Sequence, residues 1–159
     1  MTRIRRIDAA SGADASYIDA LVTASRAARE EYLRFTLDLH DAGEDRVYLR
    51  DVVLPQNQVW VAEVGDQVAG FVAFANGWIN HLYVAPEFQA RGLGTRLLDV
   101  AKQASVALQL WVFQVNAPAI RFYERRGFRV VELTDGAGNE EKQPDARMAW
   151  PPGIDSATA

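Results

Sequence analysis

The stretch with the clearest chemical content is Gln89-Ala90-Arg91-Gly92-Leu93-Gly94-Thr95. Two glycines stand one residue apart, with an arginine just before them and a threonine just after. Trp78-Ile79-Asn80-His81-Leu82-Tyr83-Val84 precedes the stretch and reads as a strand. Leu93, Leu97, Ala101, Ala104 and Leu108 follow at spacings of four, four, three and four, which predicts an amphipathic helix. A Gly-rich turn therefore joins a strand end to a helix start. The first N–H groups of a helix lack an intrahelical partner, and the helix dipole adds partial positive charge there. Glycines let the backbone approach a ligand closely. Such a turn suits an anion, phosphate above all; Arg91 would add a full charge and the Thr95 hydroxyl a further hydrogen bond. The plainer alternative is that Gly92 and Gly94 only permit a tight turn.

The elements that must position this turn follow from the rest of the chain. Ile4 to Asp8 reads as a first strand. Ser11, Gly12 and Asp14 offer a turn and a helix cap. Ala15 to about Phe35 reads as a helix with Ile18, Leu21, Val22 and Ser25 on one face. Thr36 to Asp45 reads as a loop, and Arg46 to Leu54 as a short helix ended by Pro55. Gln58 to Val64 and Val68 to Ala75 form a hairpin around Gly65-Asp66-Gln67, and Asn76-Gly77 turns the chain into the strand Trp78 to Val84. Leu108 to Val115 is a strongly apolar strand. Asn116 caps a helix with Pro118 in its first turn and Gly127 at its end. Phe128 to Leu133 and Ala146 to Trp150 are strands around a polar loop. This order predicts one α/β domain over 1–150, a mixed sheet flanked by helices, with 151–159 as a disordered tail.

Composition narrows the function. At 159 residues and 49% hydrophobic content, the chain can build one core. A net charge of −4 speaks against general nucleic-acid binding. With no cysteine and two histidines, His40 and His81, disulfides, thiolate zinc sites, cysteine nucleophiles and multi-histidine metal sites are excluded. The basic start is followed by no long apolar run, so a signal peptide is not expected. The most apolar window, Val68 to Ile79, falls short of the ~18 residues of a membrane span. These features predict a cytoplasmic protein with no membrane contact.

The Gly-rich stretch lacks Gly-x-x-x-x-Gly-Lys-Ser/Thr, and Leu97 stands where a dinucleotide fingerprint needs its third glycine. Its Gln-x-x-Gly-x-Gly pattern, flanked by Leu82-Tyr83-Val84-Ala85-Pro86 and Arg96-Leu97-Leu98, resembles the pyrophosphate signature of GNAT-family N-acetyltransferases. Asn116-Ala117-Pro118-Ala119-Ile120-Arg121-Phe122-Tyr123-Glu124-Arg125-Arg126-Gly127-Phe128 resembles that family's second motif. Seven residues separate Asn116 from Tyr123, two helical turns or roughly 10 Å, so both fall near one face. Without the family, Asn116 is simply a good helix cap and Tyr123 an aromatic at the core edge.

The resemblance implies a GNAT-like fold with a central mixed, mostly antiparallel sheet of about seven strands and about four flanking helices. It implies acetyl-coenzyme A as co-substrate, no metal, and direct acetyl transfer to a primary amine of a small molecule, protein or peptide. Leu82, Tyr83, Val84, Gln89, Ala90, Arg91, Gly92, Leu93, Gly94, Thr95, Asn116 and Tyr123 would bind the coenzyme. A backbone N–H near Leu82 would receive the oxyanion, and Tyr123 would donate a hydrogen bond to the leaving sulfur. Many family members carry a glutamate on this strand; here Asn80 and His81 stand in that region. Alternation puts Asn80, Leu82 and Val84 on one face and Ile79, His81 and Tyr83 on the other. His81 is the candidate base, with Glu30, Glu31, His40 or a water chain as alternatives. A non-catalytic acyl-coenzyme A sensor and a ligand-free scaffold are the competing readings. Edge exposure expected on the fourth and fifth strands, with Trp60, Trp78, Trp111 and Trp150, suggests a homodimer.

Overall fold

The computed structural model of the chain describes residues 1–8 and 15–152; the expected turn and cap at Ser11 to Asp14, and the tail from 153 onward, lie outside them. Seven strands form one sheet: β1 Thr2–Ile7, β2 Gln58–Val64, β3 Gln67–Ala75, β4 Trp78–Val84, β5 Leu108–Phe113, β6 Arg129–Leu133 and β7 Asp145–Trp150. They lie in the order β1-β2-β3-β4-β5-β7-β6. Every neighbouring pair is antiparallel except β4 and β5. The helical segments are α1 Ala15–Ala28, α2 Arg34–Leu39, α3 Ala42–Tyr48, α4 Leu54–Gln56, α5 Leu93–Gln103 and α6 Ala117–Arg125.

The sheet is apolar on both faces because β2 and β3 alternate two apolar sets. Val59, Val61, Phe71 and Ala73 pack with Ile18, Leu21 and Val22 of α1 and with Leu49, Val53 and Leu54. Ala62, Val72 and Phe74 pack on the other side with Leu97, Leu98 and Ala101 of α5, and with Tyr123 and Phe128. On α5 the buried side chains are Leu93, Leu97, Leu98 and Ala101. Each such leucine contributes about 1.5–3 kcal/mol by leaving water, which fixes α5 on the sheet beneath its own Gly-rich start. Leu108 is not part of that helix: α5 stops at Gln103, and Leu108 opens β5.

The segment before β2 departs most from expectation. α1 ends at Ala28, and the chain read as a loop from Thr36 is helical in α2 and α3. Asp41 accepts a hydrogen bond from the Glu44 N–H while Glu44 reaches back to the Asp41 N–H, a capping box that starts α3. From Tyr48 the helix continues through one π turn, Leu49–Val53, into α4. The edges of the sheet are β1 and β6, whereas β4 and β5 are interior. Among the described residues no helix is long and apolar enough to cross a membrane.

At Gly70 the backbone of β4 comes unusually close. A Cβ there would meet the Tyr83 carbonyl oxygen at 2.2 Å. Gly70→Ala is therefore expected to cost about 1–3 kcal/mol through forced backbone shifts. Urea unfolding of the variant against the parent chain measures it.

Candidate active site

β4 and β5 run parallel but pair only where Trp78 stands opposite Gln109. Beyond that point they splay apart. On its other side β4 stays paired with β3 to the end, Gly70 opposite Val84. The Ala85 N–H donates to Ala69 O, 2.8 Å. In an antiparallel ladder the residues that exchange hydrogen bonds alternate, so Tyr83 is turned to β3 while Leu82 and Val84 turn their N–H and C=O groups to the gap. Consistently, Gln89 Nε2 donates to Val84 O at 2.9 Å rather than β3 doing so.

A bulge sets the side chains of β4. Ala73 pairs with His81 and Phe74 with Ile79, so Asn80 is the extra residue. Strict alternation is therefore broken. Ile79 packs with Leu97, Leu98 and Tyr123, on the face where Leu82 and Val84 also lie. It does not share a face with His81 and Tyr83, as alternation implied. His81 and Tyr83 point to the α1 side, their rings 6.0 Å apart, and the His81 ring lies 6.4 Å from Phe71 and 6.1 Å from Tyr48. Asn80 is exposed and donates to Asn57 Oδ1 at 2.8 Å.

The Gly-rich turn has the form an anion site needs. Gly92 is the N-cap of α5 with φ +78°, and no side chain caps the helix. Its first-turn N–H groups are left without a side-chain acceptor. Ala90 also has positive φ, 63°. A Cβ at Gly94 would meet the Phe122 ring at 3.2 Å. Gly94 thus lets α6 pack close while leaving the first turn bare, and the residues present fit a pyrophosphate. Arg91 lies at the exposed rim over the Phe88 ring, 5.4 Å from its centroid. The Thr95 hydroxyl receives Arg126 Nε at 2.8 Å.

Between the splayed strands lies a cleft of about 120 Å3. Asn80, His81, Leu82, Tyr83, Asn116 and Tyr123 all line it, with Trp111 and Phe113 of β5. No carboxylate is among its lining residues. Asn116 caps α6 through a bond from the Ala119 N–H at 3.3 Å. Tyr123 is 8% exposed, and burial pushes its phenol well above the usual tyrosine range. Burial, and secondarily the charge of Arg29, pull the His81 imidazole down to about 4. A groove of about 680 Å3 between the Asn76-Gly77 turn and the far end of α5 holds none of the predicted site residues.

The other base candidates stand elsewhere. Glu30 accepts from Arg34 at 2.8 Å on the surface, and Glu31 is exposed. His40 has both ring nitrogens engaged, by Glu44 at 3.1 Å and Glu140 at 2.6 Å, and these bonds raise its pKa. That contact ties the α2–α3 segment to the loop between β6 and β7. Two further side chains near the cleft escaped the motifs. Arg29 lies 5.8 Å from the Tyr83 ring centroid. Asp45 holds Arg29 at 3.0 Å and Arg26 at 2.7 Å. The signal for Asp45 was the capping box Asp41-x-x-Glu44, which marks a helix where composition reads as a loop.

Residues 55–130 match the family described as Acetyltransferase (GNAT) domain. The peptidyl-lysine N-acetyltransferase YiaC of Escherichia coli (strain K12) is 38% identical over 105 residues, 65% of this chain and 70% of that protein. The solution structure of apo-form YjaB from Escherichia coli superposes with a TM-score of 0.71 at 25% identity, covering 94% of this chain and 97% of that one. The PaiA N-acetyltransferase from Thermoplasma acidophilum, solved in complex with coenzyme A, shares the fold at a TM-score of 0.65 and 20% identity, over 94% and 98% of the two chains. With the splayed strands, the uncapped glycine turn and this likeness in hand, the chain belongs to the GNAT family and is an N-acetyltransferase.

Proposed function

We propose that the chain moves the acetyl group of acetyl-coenzyme A to the ε-amine of a lysine in a protein or peptide, with solvent, not a side chain, taking the amine proton. The cleft between β4 and β5 carries this reading: Leu82, Asn116 and Tyr123 line it together, and no carboxylate does. The acceptor class rests on YiaC, whose name is peptidyl-lysine N-acetyltransferase. The sensor alternative is not favoured, because the matched relatives bear the names of enzymes.

Gln89 to Thr95 would hold the pyrophosphate, and Leu82 to Val84 and Asn116 the arm that leads into the cleft. As the amine nitrogen bonds the acetyl carbon, the Leu82 N–H would donate to the acetyl oxygen where negative charge gathers. As the carbon–sulfur bond breaks, the Tyr123 hydroxyl would donate to the sulfur. Its raised pKa makes full proton transfer to a thiolate uphill, so it acts as a hydrogen-bond donor and keeps its proton. Residues 1–150 would act as one such unit, in the cytoplasm. A homodimer is part of the proposal too, with exposed Val130 and Leu133 marking the β6 edge as its contact.

The proton decides the role of His81. Releasing a proton from a lysine amine to water at pH 7 costs about 4.6 kcal/mol. Passing it to an imidazole with a pKa of about 4 costs about 9 kcal/mol on the same scale. Solvent wins by a wide margin. Desolvation in the cleft and the like charge of Arg29 beside Tyr83 both disfavour an ammonium, so the amine enters neutral. His81 then serves as a neutral wall of the cleft.

Four outcomes test this. Acceptor-dependent thiol release from acetyl-coenzyme A, with a lysine peptide, should show kcat/KM rising nearly tenfold per pH unit from 7 to 9. An inflection near pH 6.5 that His81→Gln removes would restore the imidazole as base. Tyr123→Phe should lower kcat by roughly a hundredfold while coenzyme A affinity, read by calorimetry, stays close to the parent value. NMR should find the His81 ring neutral down to pH 5. Because its folded pKa is below the unfolded value of about 6.5, its contribution is whole above pH 6.5 and is lost as pH falls toward 4. Urea midpoints should therefore fall less between pH 7 and 4.5 in His81→Gln than in the parent chain.

A further inference from the structure

Cations crowd a place where helix electrostatics disfavours them. The N-terminal end of α5 is the positive end of its dipole, and its first turn holds no acidic residue. Yet Arg91 precedes it, Arg96 lies one turn in, and Arg126 reaches Thr95 from the end of α6. In a chain of net charge −4 this concentration of like charge is not a general surface property. It lowers stability unless an anion sits among the groups.

Arg126 is the cation held most firmly. Its Nε donates to Thr95 Oγ1 at 2.8 Å and its Nη1 to Phe122 O at 2.9 Å. Its guanidinium stacks 3.9 Å over the Phe122 ring, the ring that closes against Gly94. Nη2 has no hydrogen bond among the described residues. Thr95 Oγ1 is occupied as an acceptor, so its proton is left to donate. Two donors, the Thr95 hydroxyl and Arg126 Nη2, are thus pre-set beside the bare N–H groups of the first turn, at little entropic cost on binding.

We infer that Arg126, from outside the Gln89–Thr95 turn, joins Thr95 in binding a phosphate of acetyl-coenzyme A. The pair lies 31 residues apart in sequence. Arg126 supplies the charge and aims the threonine hydroxyl; the pyrophosphate is the nearer phosphate source, the 3′-phosphate the other. The inference rests on use of acetyl-coenzyme A and not on the identity of the acceptor, so its test needs no acceptor.

Coenzyme A and 3′-dephospho-coenzyme A are titrated by calorimetry into the parent chain, Arg126→Gln and Thr95→Val, each at several salt concentrations. Arg126→Gln should weaken coenzyme A about tenfold or more and flatten the dependence of affinity on salt. An equal loss for dephospho-coenzyme A assigns the pair to the pyrophosphate; a loss confined to coenzyme A assigns it to the 3′-phosphate. Thr95→Val should weaken binding several-fold, and it decides the matter alone if circular dichroism shows Arg126→Gln unfolded. Unchanged affinity overturns the inference. So does weakened affinity in Arg126→Gln with the parent salt dependence, since a merely structural arginine would behave that way. An inert acceptor panel with these binding losses intact would refute the proposed acceptor and leave this pair standing.

Discussion

The structure depends on two parallel strands that start together and then separate. β4 and β5 pair at Trp78 and Gln109 and nowhere beyond. Leaving strand edges open inside a protein is costly, because each unpaired N–H or C=O forfeits a hydrogen bond. Two features keep the gap open. β4 is held by β3 along its full length, through Val84, and β5 is held by β7 from Leu108 to Phe113. Each strand has one secure neighbour, so neither needs the other. Below the gap, Leu97, Leu98, Leu110 and Tyr123 fill the space with buried side chains that a closed sheet would displace. The open edge then offers the backbone groups of Leu82 and Val84 to whatever enters.

The same economy operates at the Gly-rich turn. A capping side chain in place of glycine would contribute only about a few tenths of a kcal/mol to α5, so Gly92 leaves the first turn bare at little cost. Asp41 caps α3 and Asn116 caps α6, whereas α2, with Leu33 at its N-cap, has no side-chain cap either. What sets α5 apart is the glycine at its start. Phe122 presses on Gly94 from one side, and Arg126 locks Thr95 on that side as well. The bare N–H groups are supported from behind and open in front, as preorganised anion binding requires.

Much of this was legible in the sequence, and what was not has physical reasons. The strands from Gln58 to Val84 announce themselves by apolar runs and by the Asn76-Gly77 turn. The glycine turn and the Asn116 cap are local, so residue type and spacing suffice. The bulge at Asn80 is not: Ile79, His81 and Tyr83 alternate correctly on paper, and only the pairing with β3 shows the extra residue. α2 and α3 are too short for a periodic signal to rise above the polar composition of Thr36 to Asp45. Arg126 carries no local signal at all, since its meaning lies in Thr95 on another helix. Edge position was also misjudged for β4 and β5, because strand order in a sheet is a long-range property.

The charge pattern around the cleft makes one consistent design. Inside it the titratable groups are held neutral: burial depresses the His81 imidazole and raises the Tyr83 and Tyr123 phenols. The charged side chains stand back and are matched, Asp45 between Arg26 and Arg29, with Glu44 and Glu140 hydrogen-bonded to the two ring nitrogens of His40. A buried carboxylate base in such surroundings would have its own pKa raised and would hold an incoming ammonium as an ion pair, the form that cannot attack. A neutral cleft does the opposite. It admits the uncharged amine on better terms than the charged one, and it strengthens each dipole aimed at the developing oxyanion, because little else screens it. The asparagine and histidine that occupy the region of a family glutamate are therefore no defect in the proposed reaction. They move the cost of deprotonation out of the protein and into the solvent equilibrium, where the acceptor's own pKa sets the rate.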